Sequence, residues 1–213
     1  TTMTGLGIKL PAAIAGWSGG SLAVTLIITA IVAIIMGCGI TVAAVYILVA
    51  IMVVPALLGM GLTLMQAHLF AFYFGVISFI TPPVALGSLF AAQVAQAKFW
   101  PTGIEATKVG SAGFLIPFFM ILCPAIILQS QPVLSAVTGI LSIIVILTAC
   151  QVVFCNHYLG PVSRLERAVF LLIALVHLGS MIMGNYILFA IGLIIFIFLT
   201  IGQVKKGRLL SAL

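Results

Sequence analysis

The chain has 213 residues, of which 64% are hydrophobic and 5% are charged, and its mean hydropathy is +1.46. About a quarter of the residues of an ordinary soluble domain are charged, so this composition excludes that class and predicts an integral protein of the lipid bilayer. The formal net charge of +6 is typical of an orientation signal in such a chain and does not indicate nucleic-acid binding.

The first twenty residues are too polar and too rich in glycine to predict a membrane span. Lys9 and Pro11 precede the stretch GWSGG at 16–20. This pattern is typical of an interfacial arm followed by a turn. No basic region followed by a cleavable apolar segment opens the chain, so we expect no signal peptide here, and the opening residues resemble an internal stretch of a longer protein.

Two short apolar stretches follow, from 21 to 36 and from 42 to 54, with a glycine-containing break between them at 37–41. A helix rises about 1.5 Å per residue, so each stretch is shorter than the ~20 residues that a full span needs. The pattern predicts a re-entrant helical hairpin over 21–55, which Pro55 ends. A pair of short, tilted spans joined by a tight turn is the alternative that length leaves open.

The next apolar run, from 64 to 94, is interrupted by two consecutive prolines. Proline has no N–H and its ring clashes with the carbonyl four residues back, so Pro82 and Pro83 disrupt the helical turn before them. The carbonyls of Ser78 and Phe79 are the ones expected to lose their helical partners.

This interruption predicts a discontinuous helix with an ion site at the break. We expect the first half to stop near residue 79 or 80 and the second half to begin at Pro82, with Thr81 as its cap. An unpaired backbone group is costly in hydrocarbon, so a break at that depth requires protein, water or a bound ion as its partner. Carbonyl oxygens and the Ser78 and Thr81 hydroxyls are ligands that Na⁺ accepts, and the helix end adds partial negative charge. A kinked helix that its neighbours satisfy is the alternative.

The remainder of the chain alternates polar loops with apolar runs. Residues 95–110 predict a polar loop or surface helix, and residues 111–128 predict a further span. We therefore divide the chain into a transport unit at 1–128 and a C-terminal extension at 129–213. Three spans are predicted in the extension, at 133–155, 168–183 and 186–202. The fold class expected is an all-α polytopic membrane protein.

The basic residues predict the orientation of these segments. If the connection at 56–63 lies outside, every basic residue except Lys9 falls on the cytoplasmic side. The C-terminus is therefore predicted to be cytoplasmic.

Residue types that catalysis requires are sparse. The two carboxylates, Glu105 and Glu166, occupy separate loops, and the sequence contains neither a phosphate loop nor a Ser-His-Asp set. His177 lies inside a span with no carboxylate on any apolar run to accompany it, and the four cysteines lack the spacing of a zinc site. These observations predict that the chain is not an enzyme and has no resident cofactor.

Two long runs carry a specific family resemblance. They read GMGLTLMQAHLFAFYFGVISFITPPVAL at 59–86 and TGIEATKVGSAGFLIPF at 102–118. Both closely resemble the large membrane subunit of TRAP transporters, especially the fused permeases that work with TAXI-type solute-binding proteins. The resemblance covers about residues 4–128, and the later spans resemble the C-terminal extension of the fused forms more weakly.

This resemblance implies an elevator-type secondary transporter of a bacterial inner membrane that imports small organic acids with Na⁺ as the coupling ion. The implied partners are a periplasmic solute-binding protein and a small membrane subunit or its fused equivalent. A second inverted repeat of the permease is also implied, because the chain contains one hairpin and one broken helix.

In this family the hairpin tip reads approximately Gly-Met-Gly-x-Pro-Thr-Thr-Ala-Ala-Tyr and meets the broken helix at the ion site. The glycines and the tyrosine are present here, but Thr41 replaces the proline, and Val42 and Ala43 replace the two threonines. The lost hydroxyls leave a non-transporting bundle or an inactive permease remnant as the alternative function. The predicted ion and substrate site consists of Gly37, Gly39, Thr41, Ser78, Thr81, Pro82 and Pro83.

Overall fold

The computed structural model describes residues 5–129 and 131–211, and this part of the chain is almost entirely helical. Its ten α-helices are α1 (Leu6–Ser18), α2 (Leu22–Met36), α3 (Val42–Gly59), α4 (Leu64–Ile77), α5 (Leu86–Val94), α6 (Phe99–Val109), α7 (Ser111–Leu122), α8 (Val133–Cys155), α9 (Arg164–Met183) and α10 (Tyr186–Ser211). The only strand-like pairing among the described residues is an isolated bridge between His157 and Pro161. The all-α prediction is confirmed.

Five helical segments of the described chain are long and apolar enough to cross a membrane. They are Val42–Gly59, Phe99–Leu122, Val133–Cys155, Arg164–Met183 and Tyr186–Val204. Two further apolar helices, α2 and α4, have only 15 and 14 residues. The chain is thus built as a multi-pass membrane protein in which short apolar helices accompany full-length ones.

The residues predicted as an interfacial arm form helix α1, which has 13 residues and is too short to span a membrane. This helix packs on α3: Ile14 is fully buried, and a Cβ added at Gly7 would lie 3.3 Å from Ile51 Cγ2. The packing holds the helix across Pro11, whose missing N–H removes one helical hydrogen bond. The turn predicted at 19–20 is present, with both glycines at positive φ.

Helix α3 does not stop at Pro55 as predicted, and it continues to Gly59. Proline leaves the Ile51 carbonyl without its helical partner. The residues on both sides of the proline are buried, so side-chain packing outweighs this loss. The buried residues of this stretch are Met52, Val53, Val54, Ala56 and Leu57.

Replacing Pro55 should therefore stabilise the protein. We expect Pro55→Ala to raise the unfolding temperature in detergent, since proline in a helix interior is about 3 kcal/mol less favourable than alanine. Pro101→Ala is the matched control, because Pro101 lies in the first turn of α6, where proline costs little. A fluorescence-detected melting curve measures both, and an unchanged or lower unfolding temperature for Pro55→Ala would contradict the prediction.

The region 95–110, predicted as a polar loop or a surface helix, contains helix α6. Helices α6 and α7 meet at Gly110 and together give the apolar segment Phe99–Leu122. Charge lowered the apparent hydropathy of this region, but Lys108 Nζ lies 2.6 Å from Glu105 Oε1 on the exposed side. The two opposite charges partner each other one helical turn apart.

The span predicted at 111–128 ends early. Helix α7 stops at Leu122, and a 3₁₀ helix follows at Pro124–Ile127. Cys123 leaves the helical region, with φ −130° and ψ 81°, because the ring of the following proline disfavours helical geometry at the preceding residue.

The chain consists of two compact units, residues 1–121 and 122–213. In the first unit, α2, α3 and α4 pack together around a core that includes Val45, Val49, Leu57, Phe70 and Phe74. Phe118 of α7 adds edge-on aromatic contacts to two of these rings. In the second unit, α8, α9 and α10 form a three-helix bundle.

Candidate functional site

The break predicted in the apolar run 64–94 is present and is longer than expected. Helix α4 starts at a capping box, in which the Thr63 hydroxyl accepts from Gln66 N and the Gln66 side chain accepts from Thr63 N. It ends at Ile77, and α5 starts at Leu86 after Ala85, whose φ is 37°. The predicted stop near residue 79 or 80 and the predicted restart at Pro82 were therefore wrong. Two adjacent prolines, joined here by a cis peptide bond, lie inside the non-helical connection.

The carbonyls that we expected to lose their partners are paired within the protein. Thr81 N donates to Ser78 O at 3.3 Å, and Gly87 N donates to Phe79 O at 2.9 Å. Both carbonyls thus lack their helical partners, as predicted, because those partners would be Pro82 and Pro83. The protein supplies other donors, because the chain folds back on itself after the prolines and Gly87 permits this approach. A Cβ added at Gly87 would lie 2.7 Å from the Phe79 ring.

The next carbonyl of the break is satisfied by hydroxyl groups. Ser88 Oγ donates to Ile80 O at 3.1 Å, and Thr107 Oγ1 of α6 lies 3.5 Å from the same oxygen. The Thr107 hydroxyl also lies 2.8 Å from Gly103 O, so Ser88 is the stronger donor. The neighbouring helix thus takes part in closing the break.

The tip of the hairpin lies directly against the break. A Cβ added at Gly37 would overlap Ser78 Oγ and would lie 2.5 Å from Ser78 Cβ. Gly39 has a φ of 85°, and a Cβ there would lie 3.6 Å from Val84 Cγ1. The two irregular points of the first unit, which are more than thirty residues apart in sequence, therefore contact each other. Glycine is required at residue 37 for this approach.

Helix α6 closes the other side of the break through residues that sequence reasoning missed. A Cβ at Gly103 would lie 3.0 Å from Pro82 Cγ, and one at Gly110 would lie 2.6 Å from Ile80 Cδ1. With Thr107, these small residues are spaced i, i+4 and i+7 and share one helix face. That spacing was the available signal, since small residues on one face let helices approach closely in a membrane.

The seven predicted site residues differ in burial and in whether they take part in the contact between the tip and the break. Ser78 is buried, and its hydroxyl donates to Gly75 O at 2.6 Å. Thr81 is half-buried, and its hydroxyl donates to Ile77 O at 2.8 Å, whereas Pro83 is exposed. Thr41 precedes α3 as its N-cap without a side-chain cap bond, and its side chain is exposed. The contact between the hairpin tip and the break includes Gly37, Gly39 and Ser78. Pro82 adjoins α6, and Thr41 lies at the edge of the contact.

Several backbone oxygens remain available at this contact. Within residues 5–129 the carbonyls of Gly37, Gly39, Pro82 and Pro83 accept no hydrogen bond. The Ser78 hydroxyl uses its proton and keeps its oxygen lone pairs. No cluster of three or more His, Cys, Asp or Glu side chains occurs anywhere in the described chain. The arrangement therefore offers neutral oxygen ligands beside the C-terminal end of α4, which is the chemistry of a small hard cation.

Comparison of the sequence with models of protein families identifies the family of this chain. The model of the DctM component of the tripartite ATP-independent periplasmic (TRAP) transporters matches residues 1–133. The chain belongs to the DctM family. The matched part of the permease contains both breaks and all seven predicted site residues, and the resemblance found in the sequence is confirmed. No curated protein and no solved structure matches the chain.

Membership in the DctM family establishes the general role. The DctM component is a subunit of a membrane transporter, and the family is not a family of enzymes. A transporter subunit agrees with the apolar helices of this chain. A tripartite system also implies further membrane and periplasmic components. Helices α8 to α10 begin at the end of the matched region and are not described by the family.

Proposed function

We propose that this DctM chain supplies one repeat of a Na⁺-coupled TRAP permease that imports a small organic acid delivered by a periplasmic solute-binding protein. The observation that carries the proposal is the contact of Gly37 with Ser78. Two interrupted helices that meet within one unit provide unpaired backbone oxygens at one place, and discontinuous helices of this kind form ion sites in secondary transporters.

The proposed Na⁺ site is built mainly from the backbone. Val42 and Ala43 provide no side-chain oxygens at the tip, so the carbonyls of the tip and of the proline pair are the principal ligands. The hydroxyl oxygens of Ser78 and Thr81 complete the set, because each has lone pairs left after donating its proton to a carbonyl. A site of neutral oxygens beside a helix C-terminus favours a monovalent cation.

The proposed setting is a bacterial inner membrane with the C-terminus in the cytoplasm. The basic residues at 98–108, 164–167 and 205–208 support this orientation, because positive charge is enriched in cytoplasmic loops. The hairpin at 21–55 is proposed to be re-entrant, and its short helix α2 supports this. The other repeat of the permease and a small membrane subunit, or its fused equivalent, are the further proposed partners.

Replacing a hydroxyl at the break tests the proposed Na⁺ site. Thr81→Val keeps the shape of the side chain and removes one ligand oxygen, and the Ile77 carbonyl keeps a donor in Ile80 N. We expect the protein to fold and its dissociation constant for Na⁺ to rise about tenfold, which corresponds to roughly 1.4 kcal/mol. The measurement is the rise in unfolding temperature as NaCl replaces choline chloride at constant ionic strength.

Thr148→Val is the matched control, because Thr148 makes the same kind of bond, to Ile144 O, on helix α8. It should leave the Na⁺ titration unchanged. In the intact transporter reconstituted with its binding protein, Thr81→Val should also weaken the Na⁺ dependence of uptake. Equal Na⁺ titrations for Thr81→Val and the unmodified protein would count against the site.

The inactive-remnant alternative is favoured by one observation, the loss of two tip hydroxyls at Val42 and Ala43. The same titration separates the two functions. An unmodified protein that NaCl stabilises no more than choline chloride does would favour the remnant or a structural bundle. Selective stabilisation by Na⁺ would exclude it.

A further inference from the structure

The C-terminal bundle contains a polar cavity that the transport proposal does not use. Its volume is about 70 Å³, and it lies where the start of α8 meets the end of α9 and the start of α10. Seven residues with a side-chain hydroxyl or amide line it: Gln131, Ser135, Thr138, Ser142, Ser180, Asn185 and Tyr186. Six of these seven lie beyond residue 133, outside the part of the chain that the DctM family model matches.

One residue of the cavity lining, Ser142, belongs to a buried polar pair. Ser142 is 1% exposed and His177 is 0% exposed, and Ser142 Oγ lies 3.2 Å from His177 Nδ1. His177 Nε2 is buried and has no hydrogen-bond partner among the described residues. A Cβ added at Gly192 would lie 2.8 Å from Nε2, so α10 admits the imidazole only because residue 192 is glycine. An ionisable side chain inside a membrane bundle is costly, which makes this pair a candidate functional feature.

The hydrogen-bonding groups of the cavity include both donors and acceptors. Asn185 Oδ1 caps α10 by accepting from Ile187 N and Leu188 N, which leaves the amide N–H groups available. Ser180 and Thr138 each donate to a backbone carbonyl, which leaves their oxygen lone pairs available. The lining therefore suits a molecule that can both donate and accept hydrogen bonds.

The lack of charged side chains in the lining restricts the class of ligand further. None of the lining residues is Asp, Glu, Lys or Arg. A charged organic molecule held there would leave water without a counter-charge, and that transfer is strongly unfavourable. Leu122, Met181 and Phe189 supply an apolar wall beside the polar groups. The volume of the cavity is several times the ~10–15 Å³ that a cavity needs to hold one water, so it admits a small molecule.

We infer that this cavity is a binding site for a small uncharged molecule with hydroxyl or amide groups, held against Ser142, whose buried partner is His177. The site is separate from the proposed ion site in its residues and in its chemistry. It does not depend on Na⁺ coupling.

Cysteine substitution tests this site directly in the full chain. Ser142→Cys is made after replacing the four native cysteines by alanine, and its reaction is followed by mass spectrometry with three methanethiosulfonates. Their head groups are neutral hydroxyethyl, anionic sulfonatoethyl and cationic trimethylammonioethyl. Each rate is divided by the rate of the same reagent with a free thiol in solution. We expect the corrected rate of the hydroxyethyl reagent to be at least about tenfold higher than those of the two charged reagents, because a charged head group would lose its hydration without gaining a partner.

Two further variants keep this test decisive. Ser135→Cys lies on the same lining, is half-buried and reports on the cavity if Ser142→Cys does not fold. Ala149→Cys, two helical turns further along α8 and 0% exposed, should stay unmodified by all three reagents. Acetamide should slow modification of Ser142→Cys, whereas acetate, which has the same shape and a charge, should not.

Two outcomes would overturn the inference. Equal corrected rates for the three reagents would mean an unselective aqueous crevice. Folded cysteine variants at 135 and 142 that resist every reagent would mean a closed cavity without ligand access. Neither outcome bears on the Na⁺ titration of the first unit, so the two proposals are tested independently.

Discussion

Gly37→Ala should disrupt the contact on which the proposed ion site depends. The added Cβ would overlap Ser78 Oγ, and Ser78 is 2% exposed, so neither side chain has free space to move into. Overpacking of this kind typically costs about 1–3 kcal/mol. For a chain of this size a loss of 1 kcal/mol lowers the unfolding temperature by about 2–4 °C. We expect a drop of that order together with loss of the stabilisation by Na⁺.

The partner substitution makes this prediction specific. Ser78→Gly removes the atoms that the new Cβ would meet, so Gly37→Ala/Ser78→Gly should recover part of the unfolding temperature relative to the sum of the single changes. Gly16→Ala is the control, because nothing lies within 4 Å of a Cβ at that residue. Melting curves of the four proteins, in NaCl and in choline chloride, provide the cycle. Strictly additive effects of the two substitutions would show that the tip does not contact the break.

The breaks were predictable from sequence because their causes are local. Gly37 and Gly39 interrupt an apolar run, and the pair Pro82-Pro83 interrupts another, so each leaves a signature within a few residues. The same locality explains the error over Pro55. A local rule gives proline a fixed cost, whereas the buried neighbours that outweigh this cost are contributed by other helices.

The pairing of the break was beyond local reasoning. The partner of Phe79 O is Gly87 N, eight residues on, and one hydroxyl beside Ile80 O belongs to Thr107, twenty-seven residues on. Which oxygens stay unpaired therefore depends on how α5 and α6 fold back over the prolines. The glycines of α6 carried a spacing signal, but Glu105 and Lys108 led to the interpretation of this region as a polar loop or a surface helix.

Removing both hydroxyls that contact Ile80 O, those of Ser88 and Thr107, should destabilise the protein much more than removing either one. In Ser88→Ala the Thr107 hydroxyl can turn from Gly103 O to Ile80 O, and in Thr107→Val the Ser88 bond of 3.1 Å remains. The double variant leaves a carbonyl in the break with no donor, and such a buried unpaired group costs about 1–3 kcal/mol. Each single change should be nearly neutral by comparison.

This synergy tests whether α6 supports the ion site through the Ile80 carbonyl. We expect Ser88→Ala/Thr107→Val to lower the unfolding temperature by more than the sum of its parts and to weaken the stabilisation by Na⁺, because the break loses its fixed geometry. Thr102→Val is the matched control on the same helix, since its exposed hydroxyl bonds only to Lys98 O. If the double variant melts like the less stable single variant, the Ile80 carbonyl has another partner and α6 is not required to hold the break.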